Sequence, residues 1–307
     1  MIKRALLGLL VVILAAIALP PLWFALFPYT PPDLPPAGRR VVLPSGVGVN
    51  VLLEGSGPPV VMVHGLPGSA YDWRELAPLL AARGLRAIAY DRVGYGYSDG
   101  RPEGTRFTAD QNALELLGLL EALDLTNVTV VGWSFGGATA MLAAHRDPTR
   151  IGRIVLVGSA GPGVENMQPP LVVRVMFSTP VLAWVRAVPP AARALRAATS
   201  NAAYSGQPQP DWWMPSLNAN FGRPHTPATF RMEGSSFEGA PPDTTGLVLP
   251  ILVIHGEQDL LAPIAIAHAL HEHARHSKLL VIENGSHMLP VTHAARLADE
   301  IAAFTGE

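Results

Sequence analysis

Apolar residues along most of the chain form short continuous runs, among them PVVMV, LRAIAY, NVTVV, RIVLV, PILVI and KLLVI. Runs of this kind are typical of strands that a parallel sheet buries on both faces. Stretches with helical periodicity separate them and predict helices at 72–83, 108–123, 135–145, 262–274 and 291–304. Two earlier runs, RRVVL and VNVLLE, predict a hairpin around Ser45 and Gly46. The pattern predicts an α/β fold with a mostly parallel central sheet and helices on both faces.

The alternation of strands and helices stops between residues 159 and 249. Thirteen of the 30 prolines and three of the six tryptophans lie in this segment. Prolines at this density divide long helices into short ones, because each removes a backbone donor and clashes with the preceding turn. A long aromatic insertion of low charge is typical of a lid. We therefore predict a core at 39–158 and 250–307 that is interrupted by a helical cap at 159–249.

The first 27 residues are strongly apolar. Residues 5–27 carry no charged side chain, and Lys3 and Arg4 precede them. A helix of this length covers a hydrocarbon core of about 30 Å, and the basic residues predict a cytoplasmic N-terminus with the folded part on the extracytoplasmic side. The alternative is a cleaved signal peptide, since AIA at 16–18 fits a cleavage site, and the protein would then be secreted. Residues 28–38, which are rich in proline, predict a stiff linker.

The charge and cysteine content exclude several classes of protein. With 22 basic and 24 acidic residues the net charge is −2, so the chain has no excess of basic charge for neutralising a row of phosphates. A nucleic-acid partner is therefore not predicted. The absence of cysteine excludes a thiol nucleophile, disulfides and thiolate metal sites. Any nucleophile must be an oxygen or a nitrogen.

The segment GWSFG places Ser134 between the predicted strand NVTVV and a predicted helix. A G-x-S-x-G motif in this context forms a sharp turn that exposes the serine as a nucleophile. A second match, GYSDG, contains Ser98, but it lies five residues beyond its strand and no helix follows it. We therefore predict Ser134 as the nucleophile and interpret Ser98 as a loop residue.

A serine hydroxyl needs a base to accept its proton, and the base needs an acid that fixes its tautomer. Asp259 follows the strand PILVI and His287 follows the strand KLLVIE, so both lie at carboxyl ends of strands, where such sheets place their sites. The order serine, aspartate, histidine predicts a catalytic triad. The alternatives are a helix N-cap for Asp259, with Glu257 as the rival acid, and a surface loop position for His287.

The negative oxygen that forms on an attacked carbonyl needs two backbone N–H donors. Phe135, directly after the nucleophile, supplies one. In the loop HGLPG after PVVMV, Pro67 has no N–H, so Leu66 is predicted as the second donor. We interpret His64 as a support for this loop.

Two further groups of side chains are candidate binding sites. A helix near the C-terminus carries four histidines, but helix capping and exposure explain them as well as a metal does, and we predict neither a metal nor a cofactor. Four tryptophans either line an apolar substrate pocket or pack the fold. The histidines are His268, His271, His273 and His276, and the tryptophans are Trp133, Trp184, Trp212 and Trp213.

The motifs HGLPGS, DRVGYGYSD, GWSFGG, HGEQD and the GSH loop, in this order, resemble the α/β-hydrolase-fold superfamily. The resemblance covers about residues 39–304 and is strongest to the capped branch of epoxide hydrolases, haloalkane dehalogenases, esterases, cofactor-free haloperoxidases and carbon–carbon bond hydrolases. It implies a nucleophile–acid–base triad with a two-donor oxyanion hole, and a structural role for Asp91 and Arg92. The triad it implies is Ser134, Asp259 and His287, with Leu66 and Phe135 as the donors.

Departures from these relatives narrow the predicted reaction. Epoxide hydrolases and dehalogenases that resemble this chain attack with aspartate, whereas position 134 is serine. Tyr204 is the only tyrosine of the predicted cap, and Phe135 stands where dehalogenases have a halide-binding tryptophan. We therefore expect a membrane-anchored serine hydrolase that cleaves esters of apolar small molecules. A carbon–carbon bond hydrolase, a haloperoxidase or perhydrolase, and a silent ligand-binding scaffold remain alternatives.

Overall fold

The computed structural model describes residues 38–101, 108–162, 188–234 and 242–306, together with scattered helical positions between 12 and 26. Within these ranges, no helix is long and apolar enough to cross a membrane. The structure therefore gives the predicted membrane anchor at 1–27 no support, and much of that segment lies outside the described residues. The predicted linker at 28–38 also lies outside them, apart from Gly38.

In the described ranges, eight strands form one sheet with the order β1-β2-β4-β3-β5-β6-β7-β8. Strand β2 pairs antiparallel with β1 and β4, and the other neighbours pair parallel, so the predicted mostly parallel sheet is confirmed. The strands are β1 (Arg39–Val42), β2 (Gly48–Glu54), β3 (Pro59–Val63), β4 (Arg86–Tyr90), β5 (Val128–Trp133), β6 (Ile151–Val157), β7 (Ile251–Gly256) and β8 (Ser277–Ile282).

Helices cover both faces of the sheet because successive strand residues point to opposite sides. In β3, Val61 and Val63 join one buried apolar cluster, while Val60 and Met62 join another. Helices α2, α3 and α7 pack on the first cluster, and α1 and α9 pack on the second. The helices are α1 (Leu76–Ala81), α2 (Ala109–Ala122), α3 (Phe135–Arg146), α4 (Pro189–Ala203), α5 (Trp213–Phe221), α6 (Thr226–Gly234), α7 (Ile264–His273), α8 (Leu289–Thr292) and α9 (Ala294–Gly306).

The predicted helix at 72–83 is divided in two. A 3-10 turn covers Ala70–Trp73, and α1 begins only at Leu76. Pro78 explains the division, since it has no N–H to donate to the carbonyl four residues earlier and is tolerated only in the first turn of a helix. The last predicted helix, 291–304, is likewise replaced by the short α8 and the longer α9.

Helices α4, α5 and α6 lie between β6 and β7, inside the predicted cap at 159–249. We call their described segment, 188–234, the insertion. It contacts loops at the carboxyl ends of the strands. Asn220 donates to the Gly68 carbonyl at 2.8 Å, and the His287 N–H donates to the Ala203 carbonyl at 3.1 Å. The division into core and cap domains stays a prediction.

Candidate active site

Ser134 occupies a strained turn between β5 and α3. Its φ of 54° and ψ of −121° lie where residues with a side chain are rarely found, and such strain concentrates at functional sites. The flanking glycines are required by close packing. A Cβ at Gly132 would lie 2.5 Å from Gly137 Cα, and a Cβ at Gly136 would overlap the Val63 carbonyl oxygen. The sequence motif thus forms the predicted strand, turn and helix.

Asp259 and His287 meet at the carboxyl ends of β7 and β8. His287 Nδ1 lies 2.7 Å from Asp259 Oδ2, and both residues are buried. Asp259 Oδ1 accepts from the N–H groups of Leu261 and Ala262 at 2.8 Å each, so this carboxylate also stabilises the turn before α7. Glu257, the rival acid, is exposed and accepts from the Asn284 N–H at 3.1 Å.

The pKa of Asp259 reflects two opposing causes. Burial by itself raises the pKa, but the charge and hydrogen bond of His287 lower it, and the net pKa lies below the usual value of 3.8. The carboxylate is therefore ionised at neutral pH. In that state it holds the Nδ1–H of His287 and leaves Nε2 as the nitrogen that can accept a proton.

The serine turn lies beside this pair. The indole N–H of Trp133 donates to the His287 carbonyl at 2.9 Å. A Cβ at Gly158 would lie 3.3 Å from Asp259 Oδ2, and the residue before it, Val157, accepts from the Ser134 N–H at 3.0 Å. Among the hydrogen bonds of the described residues, none joins Ser134 Oγ to His287. Catalytic hydrogen bonds often tighten only when substrate binds.

The loop predicted to carry an oxyanion donor packs directly against the serine. A Cβ at Gly65 would lie 3.0 Å from Ser134 Cβ. Leu66, the next residue, is half-buried. On the other side, Phe135 is the first residue of α3, where backbone N–H groups have no acceptor within the helix. The two predicted donors therefore belong to segments that adjoin Ser134.

His64 is fixed in a neutral form behind this loop. Its Nε2 accepts from the Arg92 N–H at 3.0 Å, so Nδ1 is the protonated nitrogen and donates to the Gly65 carbonyl at 2.9 Å. Burial, together with the charge of Arg92, lowers the pKa of His64 well below its usual range. These contacts support the interpretation of His64 as a loop support.

The second serine motif has a structural environment. Ser98 Oγ donates to the Asp91 carbonyl at 2.6 Å and accepts from the Asn50 N–H at 2.9 Å. The Asp91 carboxylate accepts from the N–H groups of Ala70 and Tyr97 at 2.7 and 2.9 Å. Ser98 and Asp91 thus join the loop after β4 to β2 and to the 3-10 turn.

The tryptophans predicted for a substrate pocket lie in different surroundings. The ring of Trp133 is centred 5.7 Å from that of His287. Trp212 packs on Tyr71 with centroids 5.5 Å apart, and the Trp213 indole donates to Ser200 Oγ at 2.7 Å within the insertion. Trp184 lies outside the described residues. Of the three predicted pocket tryptophans that the structure describes, Trp133 is the one whose ring packs near His287.

Two buried polar residues near the site were not predicted. His255 is the fifth residue of β7. Its Nε2 lies 2.7 Å from the Ala262 carbonyl and 3.7 Å from Asp259 Oδ2, and burial lowers its pKa. The sequence feature that could have predicted a role for His255 is a histidine inside an otherwise apolar strand. Glu233 of α6 forms an ion pair with Arg92, and nothing in the sequence pattern of the insertion singles it out. In the described ranges, no group of three or more His, Asp or Glu residues could hold a metal ion.

Comparisons with known proteins agree with the fold described above. A family model described as alpha/beta hydrolase fold matches residues 58–294. The 2-hydroxymuconate semialdehyde hydrolase of Pseudomonas sp. strain CF600 is 30% identical over 288 residues, which is 90% of this chain and 96% of the relative. The structure of the meta-cleavage product hydrolase from Pseudomonas fluorescens IP01 has a TM-score of 0.70 at 25% identity, over 88% of this chain and 98% of that one. The esterase from Exiguobacterium antarcticum has a TM-score of 0.73 at 20% identity, over 88% and 100% of the two chains.

Proposed function

Because the chain belongs to the α/β hydrolase fold family, as its motifs predicted, we propose that this hydrolase cleaves carboxylic esters of apolar small molecules through a Ser-His-Asp triad. The observation that carries the proposal is the buried pair of His287 and Asp259, 2.7 Å apart, beside the strained turn of Ser134. A strained serine next to an imidazole–carboxylate pair is the arrangement that acyl transfer requires.

In the proposed reaction, Ser134 Oγ attacks the ester carbonyl while its proton passes to His287 Nε2. Asp259 keeps the imidazole in the tautomer that can accept this proton and stabilises the imidazolium that results. The alkoxide leaves as the alcohol once His287 returns the proton to it. Water then attacks the acyl-enzyme with His287 as the base again, which releases the acid and regenerates the serine hydroxyl.

The N–H groups of Leu66 and Phe135 are proposed to bind the oxyanion that forms in both steps. Loss of one such donor lowers kcat by about 10²–10³-fold in serine hydrolases, because the negative charge exists only in the transition state and the intermediate. The chain's own backbone supplies this stabilisation, and the reaction as written balances without a metal or cofactor.

The test is ester hydrolysis by a matched pair of serine variants. Ser134→Ala should lower kcat for p-nitrophenyl esters by at least ~10³-fold, since no nucleophile remains. Ser98→Ala removes the serine of the second G-x-S-x-G motif and should keep most of the activity of the folded protein. A near-normal rate for Ser134→Ala, or an equal loss in both variants, would contradict the proposal.

A second candidate function is hydrolysis of a carbon–carbon bond. It is favoured by the near full-length similarity to a 2-hydroxymuconate semialdehyde hydrolase, and the same triad could perform it. Comparing kcat/KM for a panel of esters with that for a dienoic vinylogous diketone separates the two. A higher value for the diketone would assign the carbon–carbon reaction and replace the ester proposal.

A further inference from the structure

A buried carboxylate of the insertion is bound by side chains of the core. Glu233 is fully buried, and its Oε1 accepts from Arg92 Nη1 at 2.7 Å and from Asn112 Nδ2 at 2.6 Å. Its Oε2 accepts from the Tyr95 hydroxyl at 2.7 Å. Three core side chains therefore hold one carboxylate of α6. A fully buried charge persists only when it is compensated in this way.

Arg92 connects this carboxylate to the loop beside Ser134. Its Nη2 donates to the Gly65 carbonyl at 2.9 Å, while Nη1 binds Glu233. The same carbonyl accepts from His64 Nδ1 at 2.9 Å. Two donors, one of them a cation, therefore fix the Gly65 carbonyl from behind.

The Gly65 carbonyl and the Leu66 N–H belong to one peptide group. This peptide is trans, since among the described residues the cis bond is the next one, Leu66–Pro67. In a planar trans peptide the carbonyl and the N–H point in opposite directions, so fixing one fixes the other. A hydrogen bond from a cation to the carbonyl also polarises the amide and strengthens its N–H as a donor.

We propose that Glu233 is a positioning residue for the oxyanion hole: it holds Arg92, and Arg92 holds the Gly65–Leu66 peptide so that the Leu66 N–H faces the reacting carbonyl. This inference rests on the proposed function, in which Leu66 is a donor. It assigns the insertion a part in the chemistry beyond covering the site. Glu233 touches no substrate and acts only through Arg92.

The consequence of losing the Glu233 charge follows from the geometry. Arg92 is 1% exposed, so without its counter-charge the guanidinium must turn toward other acceptors or solvent. The Gly65 carbonyl then loses one of its two donors, and the peptide is free to rotate. The oxyanion is bound only during the reaction, so kcat should fall while KM stays constant.

The experiment compares Glu233→Gln with the control Glu115→Gln. Glu115 is also a buried carboxylate and pairs with Arg101 at 2.7 Å, and Arg101 in turn binds Asn112 Oδ1 at 2.8 Å. The control therefore removes a charge from the same buried network without removing a hydrogen bond to Arg92. For Glu233→Gln we expect kcat for a p-nitrophenyl ester to fall about 10- to 100-fold, with KM within about twofold. Hydrogen–deuterium exchange of the segment 64–68 should become faster. The control should change neither quantity beyond about twofold.

The two readouts separate this inference from the proposed function. If the wild-type protein does not hydrolyse esters, the proposed function fails, but the exchange comparison still decides the role of Glu233. Unchanged exchange of 64–68 in Glu233→Gln, or a rise in KM at constant kcat, would overturn the inference.

If the Glu233→Gln variant does not fold, Arg92→Lys replaces it, because lysine keeps the charge but cannot bridge Glu233 and Gly65 bidentately. The same loss in kcat and faster exchange are then expected, and their absence overturns the inference.

Discussion

Two buried carboxylates, Asp259 and Glu233, each accept at least three hydrogen bonds, yet they lie in different regions of the molecule. Asp259 lies in the core and binds two backbone N–H groups and His287. Glu233 lies in the insertion and binds three core side chains, one of them Arg92. The first carboxylate faces an imidazole, which can accept a proton from a nucleophile, whereas the second faces a guanidinium, which stays charged at all relevant pH values.

The difference separates the cluster that we propose to be reactive from the cluster that we propose to support it. At the Asp259 cluster the adjacent Ser134 has a strained backbone and no hydrogen bond to the imidazole within the described residues. At the Glu233 cluster both carboxylate oxygens are fully bound to donors in fixed positions. Changes at the first cluster should remove the chemistry and leave the fold intact. Changes at the Glu233 cluster should lower the stability of the fold. They should also lower the reaction rate, because Arg92 binds the Gly65 carbonyl.

The largest effect is expected from Asp259→Asn. Asparagine can still accept from the N–H groups of Leu261 and Ala262, but its amide favours the wrong tautomer of His287, so kcat should fall about 10³–10⁴-fold with little change in Tm. Ester hydrolysis and thermal unfolding measure the two quantities. The control is Glu257→Gln, at the exposed rival acid, which should retain wild-type activity. Equal activity of the two variants would remove the distinction between the clusters.

The next effect is on stability, at the second cluster. Arg92→Met leaves the Glu233 carboxylate buried without its counter-charge, and removal of one partner of a buried pair costs about 3–5 kcal/mol. The double variant Arg92→Met with Glu233→Leu removes both charges and should recover much of that loss. Urea unfolding of the wild type and both variants gives the free energies. A double variant less stable than the single one would show that the pair is not the source of the loss.

Periodicity and motif context were sufficient to predict the sheet and three of the five predicted helices, and to place Ser134, Asp259 and His287 just beyond the ends of strands. Each of these is a local pattern, and adjacent parallel strands bring their ends together. The helix predicted at 72–83 was wrong because Pro78 is tolerated only in the first turn of a helix, so the helix begins at Leu76. Glu233 could not be predicted, since its partner Arg92 is 141 residues away and no period links them. The aromatic pattern likewise could not tell a pocket residue from Trp213, whose indole bonds within the insertion.

A third buried carboxylate, Asp72, extends the comparison of Asp259 with Glu233, because fewer groups donate hydrogen bonds to it. Among the described residues, its hydrogen-bond donors both belong to Ser69, and burial raises its pKa to about 7. The folded chain therefore binds this proton more tightly than the unfolded chain, whose pKa is 3.8, and stability should fall as pH rises from about 4 to about 7. Asp72→Asn should remove that loss, so its Tm should exceed the wild-type value by a few degrees at pH 8 and match it near pH 4. A constant difference at both pH values would contradict the raised pKa.

The smallest effect is expected at an exposed ion pair. Arg296 and Glu300 lie 2.7 Å apart on α9 with side chains 57% and 30% exposed. Exposed pairs of this spacing contribute about 0.3–0.5 kcal/mol. Arg296→Ala should therefore change the free energy of unfolding by less than ~1 kcal/mol and leave kcat unchanged. A loss as large as that of Arg92→Met would mean that burial does not separate the two ion pairs.

The central claim, that Ser134 is the activated nucleophile, is tested most directly by covalent labelling. A fluorophosphonate probe reacts with serines that a neighbouring base has activated, and mass spectrometry of the digested protein locates the adduct. We predict one adduct on Ser134, abolished in Ser134→Ala and strongly slowed in Asp259→Asn. An adduct on another residue, or no adduct on the folded wild-type protein, would contradict the claim.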